Sequence, residues 1–335
     1  MNSRNRNDLV TVIVVQRERF STTMRSLESL FACTEPGYRL IYIDAGSPRR
    51  VRNYLAKKSA DQRFELVREE HYLSPAHARN IGLSLATTKY VAFVDNDVLF
   101  SPGWLEALVS CAEETGADVV TPLIFQNEPA LTTVHVAGGT ITISEKEDTR
   151  ELEEIQRYLR RPLSEVEDSL KREPTGMAEF HCMLAKKDLC DRIGGLDPNL
   201  LATSEHLDFS LTVSRNRGTI FFEPLSRITY VAPPPVTLED LQYFSLRWSD
   251  EWIQYSEDYF FEKWNVVPFK YVLEFAKKYR RRWLRKPAKL ISMILGKRAG
   301  IGFADRVEGM IVALARRRQA KHITELLDSR ASADI

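Results

Sequence analysis

The sequence predicts an α/β fold with a mostly parallel central sheet flanked by helices. Three observations carry that expectation. Short β-branched or apolar runs recur at residues 9–15, 39–44, 64–68 and 90–95. Stretches of helical period lie between them, and strands alternating with helices of this length form βαβ units with right-handed crossovers. Finally, Tyr90-Val91-Ala92-Phe93-Val94 has no polar side chain facing either way beyond one phenol, as a strand covered on both faces requires.

Taken in order, residues 9–15 read as a first buried strand, rich in Val and Ile. Residues 22–34 carry Met24, Leu27, Leu30 and Phe31 at helical spacing. A second strand, 39–44, is closed by the turn Ala45-Gly46-Ser47-Pro48. A helix at 51–59, a strand at 64–68, a helix at 75–86, the strand ending at Asp95 and a helix at 104–115 follow. After Val119-Val120 the alternation weakens. Residues 134–143 read as strands around Gly138-Gly139, and 150–172 as a charged, helical insertion. An apolar strand is predicted at 175–185, a turn at Gly194-Gly195, a helix at 207–214 and a short strand at 219–223. Residues 240–264 are helix-rich and aromatic, and 270–298 are strongly basic with Glu274 the only acid. The chain thus divides into an α/β domain over 8–235 and a helical carboxy-terminal extension over 236–335, with no internal repeat or low-complexity linker.

Composition excludes several classes. The 335 residues hold 47 Lys and Arg against 46 Asp and Glu, so no global charge points to nucleic acid. The four cysteines are scattered, without Cys-x-x-Cys spacing, which suits free thiols in a reducing compartment. Residues 1–8 are polar and lack the apolar core of a signal peptide, and no run approaches the roughly 18 apolar residues of a spanning helix. The expected location is cytoplasmic, with peripheral contact at the inner membrane face through 270–298.

The chemistry concentrates at Asp95-Asn96-Asp97. Ligands of open α/β sheets bind at the carboxyl ends of the strands. Two carboxylates there, with no Lys or Arg in the triplet, repel one another unless a cation or a hydroxyl-rich ligand lies between them. A divalent ion, Mn²⁺ or Mg²⁺, holding a diphosphate accounts for them economically. An ordinary acidic turn is the alternative.

Four segments together resemble family 2 inverting glycosyltransferases of the GT-A type, whose fold is Rossmann-like. They are residues 10–15 with 40–47; Ala78-Arg79-Asn80-Ile81-Gly82, similar to the family's Ala-Arg-Asn-x-Gly; Val94-Asp95-Asn96-Asp97, similar to Asp-x-Asp; and Gly194-Gly195-Leu196-Asp197 with Glu205-His206-Leu207-Asp208-Phe209, similar to Gly-Gly-Phe-Asp and Glu-Asp-x-Asp-Leu. The resemblance covers roughly residues 9–230. It implies an enzyme, a metal-dependent hexosyltransferase of glycan or polysaccharide synthesis. Such an enzyme moves a sugar from a nucleotide-diphosphate donor, UDP or else GDP, to a hydroxyl on a glycan or lipid-linked acceptor. It further implies donor contacts from Val15, Gln16, Arg17, Asp44, Arg79, Asp95 and Asn96, with Asp97 the direct metal ligand and Asp95 beside it, nearer the ribose. The catalytic base of the family is the Asp of Glu-Asp. His206 occupies that position here, and a histidine near its ordinary pKa can serve; Glu205 orients it or is itself the base, and Asp208 opens the helix or positions the acceptor. Two departures stand out: Ala45 replaces a second acid at the uracil edge, and no histidine follows the strand at 219–230, where many relatives supply a metal ligand. His135 and His181 have no assigned role beyond core packing, although His181, on the strand before Gly194, is placed to line the acceptor side.

Trp248, Trp252, Tyr255 and Tyr259 recur on one helix face, which predicts packing onto the α/β domain, with sugar stacking the alternative. Asp250, Glu251, Glu257, Asp258 and Glu262 then form the solvated face. The basic segment 270–298, interleaved with Trp283, Leu284, Leu290, Ile291, Met293, Ile294 and Leu295, suits either an interfacial helix on an anionic membrane or local packing and dimerisation. Two readings rival a glycosyltransferase. A nucleotidyltransferase needs a glycine-rich loop after the first strand, and Gln16-Arg17-Glu18-Arg19 has no glycine. A catalytically inactive GT-A scaffold, binding carbohydrate or serving assembly, draws support from Ala45 and His206.

Overall fold

A computed structural model describes residues 9–146, 149–231, 236–268 and 272–333. The polar start 1–8 and Lys270 of the basic segment lie outside the described residues. The first half alternates strand and helix: β1 (Val10–Val15), α1 (Thr23–Cys33), β2 (Arg39–Ala45), α2 (Arg49–Gln62), β3 (Glu65–Glu69), α3 (Pro75–Leu85), β4 (Tyr90–Asp95), β5 (Val98–Phe100), α4 (Trp104–Thr115) and β6 (Val119–Gln126). Then come β7 (Thr133–Val136), β8 (Gly139–Lys146), β9 (Thr149–Gln156), β10 (Glu173–Thr175), β11 (Cys182–Lys186), α5 (Lys187–Arg192), α6 (Glu205–Arg215) and β12 (Ile220–Tyr230). Helices close the chain: α7 (Leu241–Arg247), α8 (Asp250–Trp264), α9 (Val272–Arg280), α10 (Arg285–Leu295), α11 (Lys297–Arg316) and α12 (Lys321–Ala333).

The central sheet runs β10-β12-β6-β11-β4-β1-β2-β3, with β5 added to β12 and β7 to β6. Strands β1 to β4 are parallel where they pair, β11 lies antiparallel between β4 and β6, and β12 is parallel to β6. Every residue of β1 and β4 is buried, which explains their unbroken apolar character. Register brings Val15 opposite both Asp95 and Ile43, so three strands deliver Gln16, Asn96 and Asp44 to one edge. The four cysteines are free, three of them buried.

Helix α3 packs close on β1 because of one glycine. A Cβ on Gly82 would lie 2.4 Å from Cγ2 of Ile13, a β-branched side chain that is itself fully buried. This contact fixes the helix whose first turns carry Arg79 and Asn80.

Several expectations need correction. The charged stretch 150–172 is not helical. It begins with β9, paired with β8 in a hairpin that sets Leu152 opposite Ile143, and continues through two 3-10 turns, Leu163–Glu165 and Glu167–Ser169. Leu152 packs into a small core with Leu200, Leu207 and Phe260, so cross-strand and core packing outweigh the helix-forming charge. The strand predicted at 175–185 is regular only from Cys182, and the one at 219–223 extends to Tyr230 past a bulge between Glu223 and Arg227. The aromatic stripe is split: Trp248 ends α7, and Ser249 caps α8 by accepting from the Trp252 amide. Trp252 and Tyr255 are buried as expected. Glu257 is not solvated. It is buried and accepts from the hydroxyls of Thr203 and Ser204, while Ser256 Oγ accepts from the amides of Leu201 and Ala202. These bonds clamp α8 onto the segment that leads into α6.

Replacing Gly82→Ala is expected to cost about 1–3 kcal/mol by forcing α3 off β1. Denaturant unfolding measures it, and an unchanged midpoint would mean that the helix shifts without strain.

Candidate active site

The geometry starts from Asp95, the last residue of β4. Its amide donates to the carbonyl of His181 (3.2 Å), because β11 runs antiparallel beside β4 and His181 immediately precedes it. Asn96 turns the chain outward. Its amide donates to Val15 O, and its side chain accepts from the Arg17 amide and donates to Arg19 O and Thr23 Oγ1. Asn96 therefore pins the loop after β1 and carries Arg17 and Arg19 to the carboxylates. The carbonyl of Asp97 accepts from the Val231 amide (2.8 Å), which brings the end of β12 and Tyr230 to the same place.

Although the triplet lacks a basic residue, the fold supplies three. Arg79 Nη2 donates to Asp95 Oδ1 at 2.6 Å, Arg17 Nε lies 3.6 Å from Asp95 Oδ2, and Arg19 Nη2 lies 3.5 Å from Asp97 Oδ2. Arg79 stacks on Phe180, its guanidinium carbon 4.2 Å from the ring centre. Burial opposes ionisation of both acids. Arg79, with His181 and Arg17, nevertheless holds Asp95 below the ordinary carboxylate range. Burial pushes the Asp97 carboxyl up, Arg19 opposing and the neighbouring Asp95 adding to it.

This arrangement fits a cation. Asp95, Asp97 and His181 each bring a ligand atom within 4.8 Å of the others. Asp95 Oδ2, Asp97 Oδ1 and His181 Nδ1 are buried without a well-formed hydrogen bond, although Asp95 Oδ2 and His181 Nδ1 lie 3.4 Å apart. A buried polar atom left unsatisfied costs about 1–3 kcal/mol. The two carboxylate oxygens suit Mn²⁺ or Mg²⁺, and the imidazole nitrogen tilts the set toward the softer Mn²⁺. The His181 ring is held in place by stacking on Tyr230, with centroids 4.1 Å apart, and His135 lies edge-on to it.

At the far end of the edge, Asp44 is fully engaged inside the protein. Its oxygens accept from Gln16 Nε2, from the Ser47 amide and hydroxyl, and from Arg68 Nη1 at 2.6 Å. Gln16 Oε1 in turn accepts from the Ala45 amide. Asp44 here shapes the loop instead of presenting a free carboxylate.

The start of α6 faces two ways. Glu205 lies 4.0 Å from Arg79 Nη1 and 3.6 Å from Arg247 Nη2, so Arg79 bridges it to Asp95. His206 points elsewhere, its Nε2 at 3.2 Å from Glu154 Oε1 and 3.6 Å from Glu179 Oε1. Burial alone would lower this imidazole, but Glu179 and Glu154 override it and push it up to about 9. The ring is thus an imidazolium near neutrality, not the free base that its ordinary pKa suggested. Asp208 is drawn away from the carboxylate pair, accepting from Trp264 Nε1 (2.8 Å) and lying 2.7 Å from Lys263 Nζ.

Val15, Gln16, Arg17, Asp44, Arg79, Asp95, Asn96 and Asp97 accordingly share one strand edge, Glu205 joins them through Arg79, and His206 and Asp208 form separate contacts. Sequence reasoning missed Arg19, Glu154, Glu179 and Arg247, and left His181 without a metal role. Only His181 carried a signal, a polar side chain inside the apolar run Phe180-His181-Cys182-Met183.

Since folded His206 titrates above its ordinary 6.5, its pairing stabilises the fold fully below that value and is lost as pH rises through about 9. His206→Gln is expected to lower stability by roughly 1–3 kcal/mol at about pH 6 and by little at about pH 10. An equal deficit at both, in denaturant unfolding, would reduce the ring to packing.

Residues 11–194, more than half of the chain, match the glycosyl transferase family 2 profile. An uncharacterized glycosyltransferase of Rickettsia bellii is 31% identical over 109 residues, 32% of this chain and 16% of that protein. The pre-mycofactocin glycosyltransferase of Mycobacterium tuberculosis is 35% identical over 117 residues, 34% of this chain and 23% of the relative. The match therefore spans less than a quarter of either relative's length. Among solved structures, GalNAc-T7 with UDP, GalNAc and Mn²⁺ superposes with a TM-score of 0.53 at 17% identity, covering 83% of this chain and 58% of the other, a likeness of fold. With its mostly parallel sheet, its flanking helices and this match, the chain belongs to glycosyl transferase family 2 and has a GT-A fold.

Proposed function

We propose that the protein is a metal-dependent, inverting hexosyltransferase that takes a sugar from a nucleoside-diphosphate donor, a UDP-sugar, and passes it to a hydroxyl of a glycan or lipid-linked acceptor. The observation that carries this reading is the convergence of buried Asp95, Asp97 and His181 at the carboxyl edge of the sheet, each with an atom that makes no hydrogen bond. Those three residues would hold Mn²⁺ or Mg²⁺, which supplies a Lewis acid for the charge developing on a departing diphosphate. His181 then takes the place of the histidine that the sequence lacks after β12. Arg17 and Arg19, on the loop pinned by Asn96, add fixed positive charge for the phosphates. Support for UDP and Mn²⁺ as first probes comes from the neighbour of similar fold solved with both. Residues 8–235 serve as the catalytic part, and 236–335 as the extension that buttresses it.

In the transfer, the acceptor oxygen forms a bond to the anomeric carbon as the bond from that carbon to the diphosphate oxygen breaks, and the electron pair leaves with the nucleoside diphosphate. In-line displacement inverts the centre. The acceptor proton goes to a base in the Glu205-His206 segment. We assign it to Glu205, because His206 is already protonated and Glu205 Oε1 is buried without a hydrogen-bond partner. His206, with Glu154 and Glu179, then orients acceptor hydroxyls as a positioning group.

Two variants test the roles separately. Asp97→Asn is expected to remove Mn²⁺-dependent UDP binding by calorimetry. Glu205→Gln should retain that binding while turnover falls by about 10²–10⁴-fold. Wild-type binding of UDP without turnover of any nucleotide-sugar would favour the inactive scaffold. Undiminished turnover in Glu205→Gln would move the base elsewhere.

A further inference from the structure

The part of the chain least explained by sugar transfer is the hairpin of α10 and α11. No residue of α10 is buried. Leu290, Met293, Ile294 and Leu295 are 59%, 75%, 70% and 70% exposed, and past the turn at Gly296 the apolar surface continues with Ile301 at 49%. Positions 290, 293 and 294 lie on one helical face. An isolated exposed leucine needs no explanation, but five large apolar side chains grouped at one tip do.

These side chains are not the glue of the hairpin. A Cβ on Gly300 would lie 2.5 Å from the carbonyl of Ala288 and closer still to Ser292 Oγ, so the two helices meet through small residues on the other side. The hairpin base is fastened to the body: Arg280 and Arg281 both pair with Glu308, Arg280 also grips Asp250 at 2.8 and 2.9 Å, and Arg316 pairs with Glu251 at 2.8 Å. The tip is therefore presented outward by a braced support.

Charge says what the tip meets. Between residues 275 and 304 there are 10 Lys and Arg and no Asp or Glu. Arg285, Lys286, Lys289, Lys297 and Arg298 flank the apolar tip and are exposed, and among the described residues no ion pair engages them. A second copy of the chain would bring two such collars together at a repulsive cost. Nucleic acid would satisfy the charge and leave the apolar tip in water. No described helix is long and apolar enough to cross a membrane. We infer that the α10–α11 tip docks on an anionic lipid bilayer, its apolar residues entering the interface and its basic collar resting on the headgroups. This assignment is independent of the sugar-transfer reading.

Co-sedimentation of the full chain with phosphatidylcholine vesicles, with and without phosphatidylglycerol, tests it. Wild type is expected to bind the anionic vesicles at least tenfold more tightly, each basic residue contributing about fivefold. The double variant Met293→Asp, Ile294→Asp should lose vesicle binding, and Lys286→Glu, Lys289→Glu should weaken it at least tenfold, with thermal unfolding unchanged because these side chains are exposed. The inference is overturned if wild type ignores anionic vesicles, if Met293→Asp, Ile294→Asp still binds them, or if wild type instead binds duplex DNA alone. A dimer that the apolar double variant dissolves, without vesicle binding in wild type, would assign the tip to a second copy.

Discussion

Burying Asp95 and Asp97 side by side at the end of a central strand is the constraint around which the rest is arranged. An ion taken out of water costs several kcal/mol unless it is paired and hydrogen-bonded. The fold answers with side chains from three segments. Helix α3 contributes Arg79, the loop after β1 contributes Arg17 and Arg19, and the residue before β11 contributes His181. Each supplier has its own anchor: Gly82 allows α3 to lie against Ile13, Asn96 pins the loop, and antiparallel pairing fixes His181. Asp95 Oδ2, Asp97 Oδ1 and His181 Nδ1 still lack a hydrogen bond, as do Nε and Nη1 of both Arg19 and Arg79. Asp95 Oδ2 is met only by the looser approach of Arg17 Nε at 3.6 Å and His181 Nδ1 at 3.4 Å. In this account a divalent ion and the diphosphate it carries complete the balance.

The carboxy-terminal helices belong to the same arrangement. Asp240 accepts from the amides of Phe20 and Ser21, closing the β1–α1 loop from the other side. Glu18, in that loop, accepts from Trp248 Nε1 and Tyr279 Oη. Helix α8 holds the 201–204 segment and, through Trp264, Asp208 of α6. Both the loop bearing Arg17 and Arg19 and the helix bearing Glu205 are thus set by residues beyond 236, although the family match ends at 194. Exposure at the α10–α11 tip is compatible with this role, since these buttressing contacts come from α7, α8 and α9.

What was legible in the sequence followed from local pattern. The strands β1 and β4, the carboxylates at the end of β4 and the Ala-Arg-Asn-x-Gly start of α3 are contiguous signals, and alternation with helices gave the fold class. Less legible were contacts made across the chain. His181 reaches Asp95 only because β11 is antiparallel in a sheet otherwise read as parallel. Glu154 reaches His206 only because 149–156 is a strand, where charge had suggested helix. Once two glutamates face it, His206 changes from base to imidazolium, a change that no reading of Glu205-His206-Leu207-Asp208 in isolation reveals. Asp44 was legible as a carboxylate at a strand end but not as one consumed by Arg68 and Ser47.

On the proposed function, Asp95, Asp97 and His181 together hold a divalent ion that binds the donor's diphosphate. The most direct measurement is electron paramagnetic resonance of Mn²⁺ titrated into the wild-type protein with and without UDP, with electron spin echo envelope modulation to read nitrogen coupling. A bound-Mn²⁺ signal that strengthens with UDP and shows hyperfine coupling to a protein nitrogen, that of His181, is expected. Free-ion spectra throughout, or a bound signal without nitrogen coupling, would contradict it.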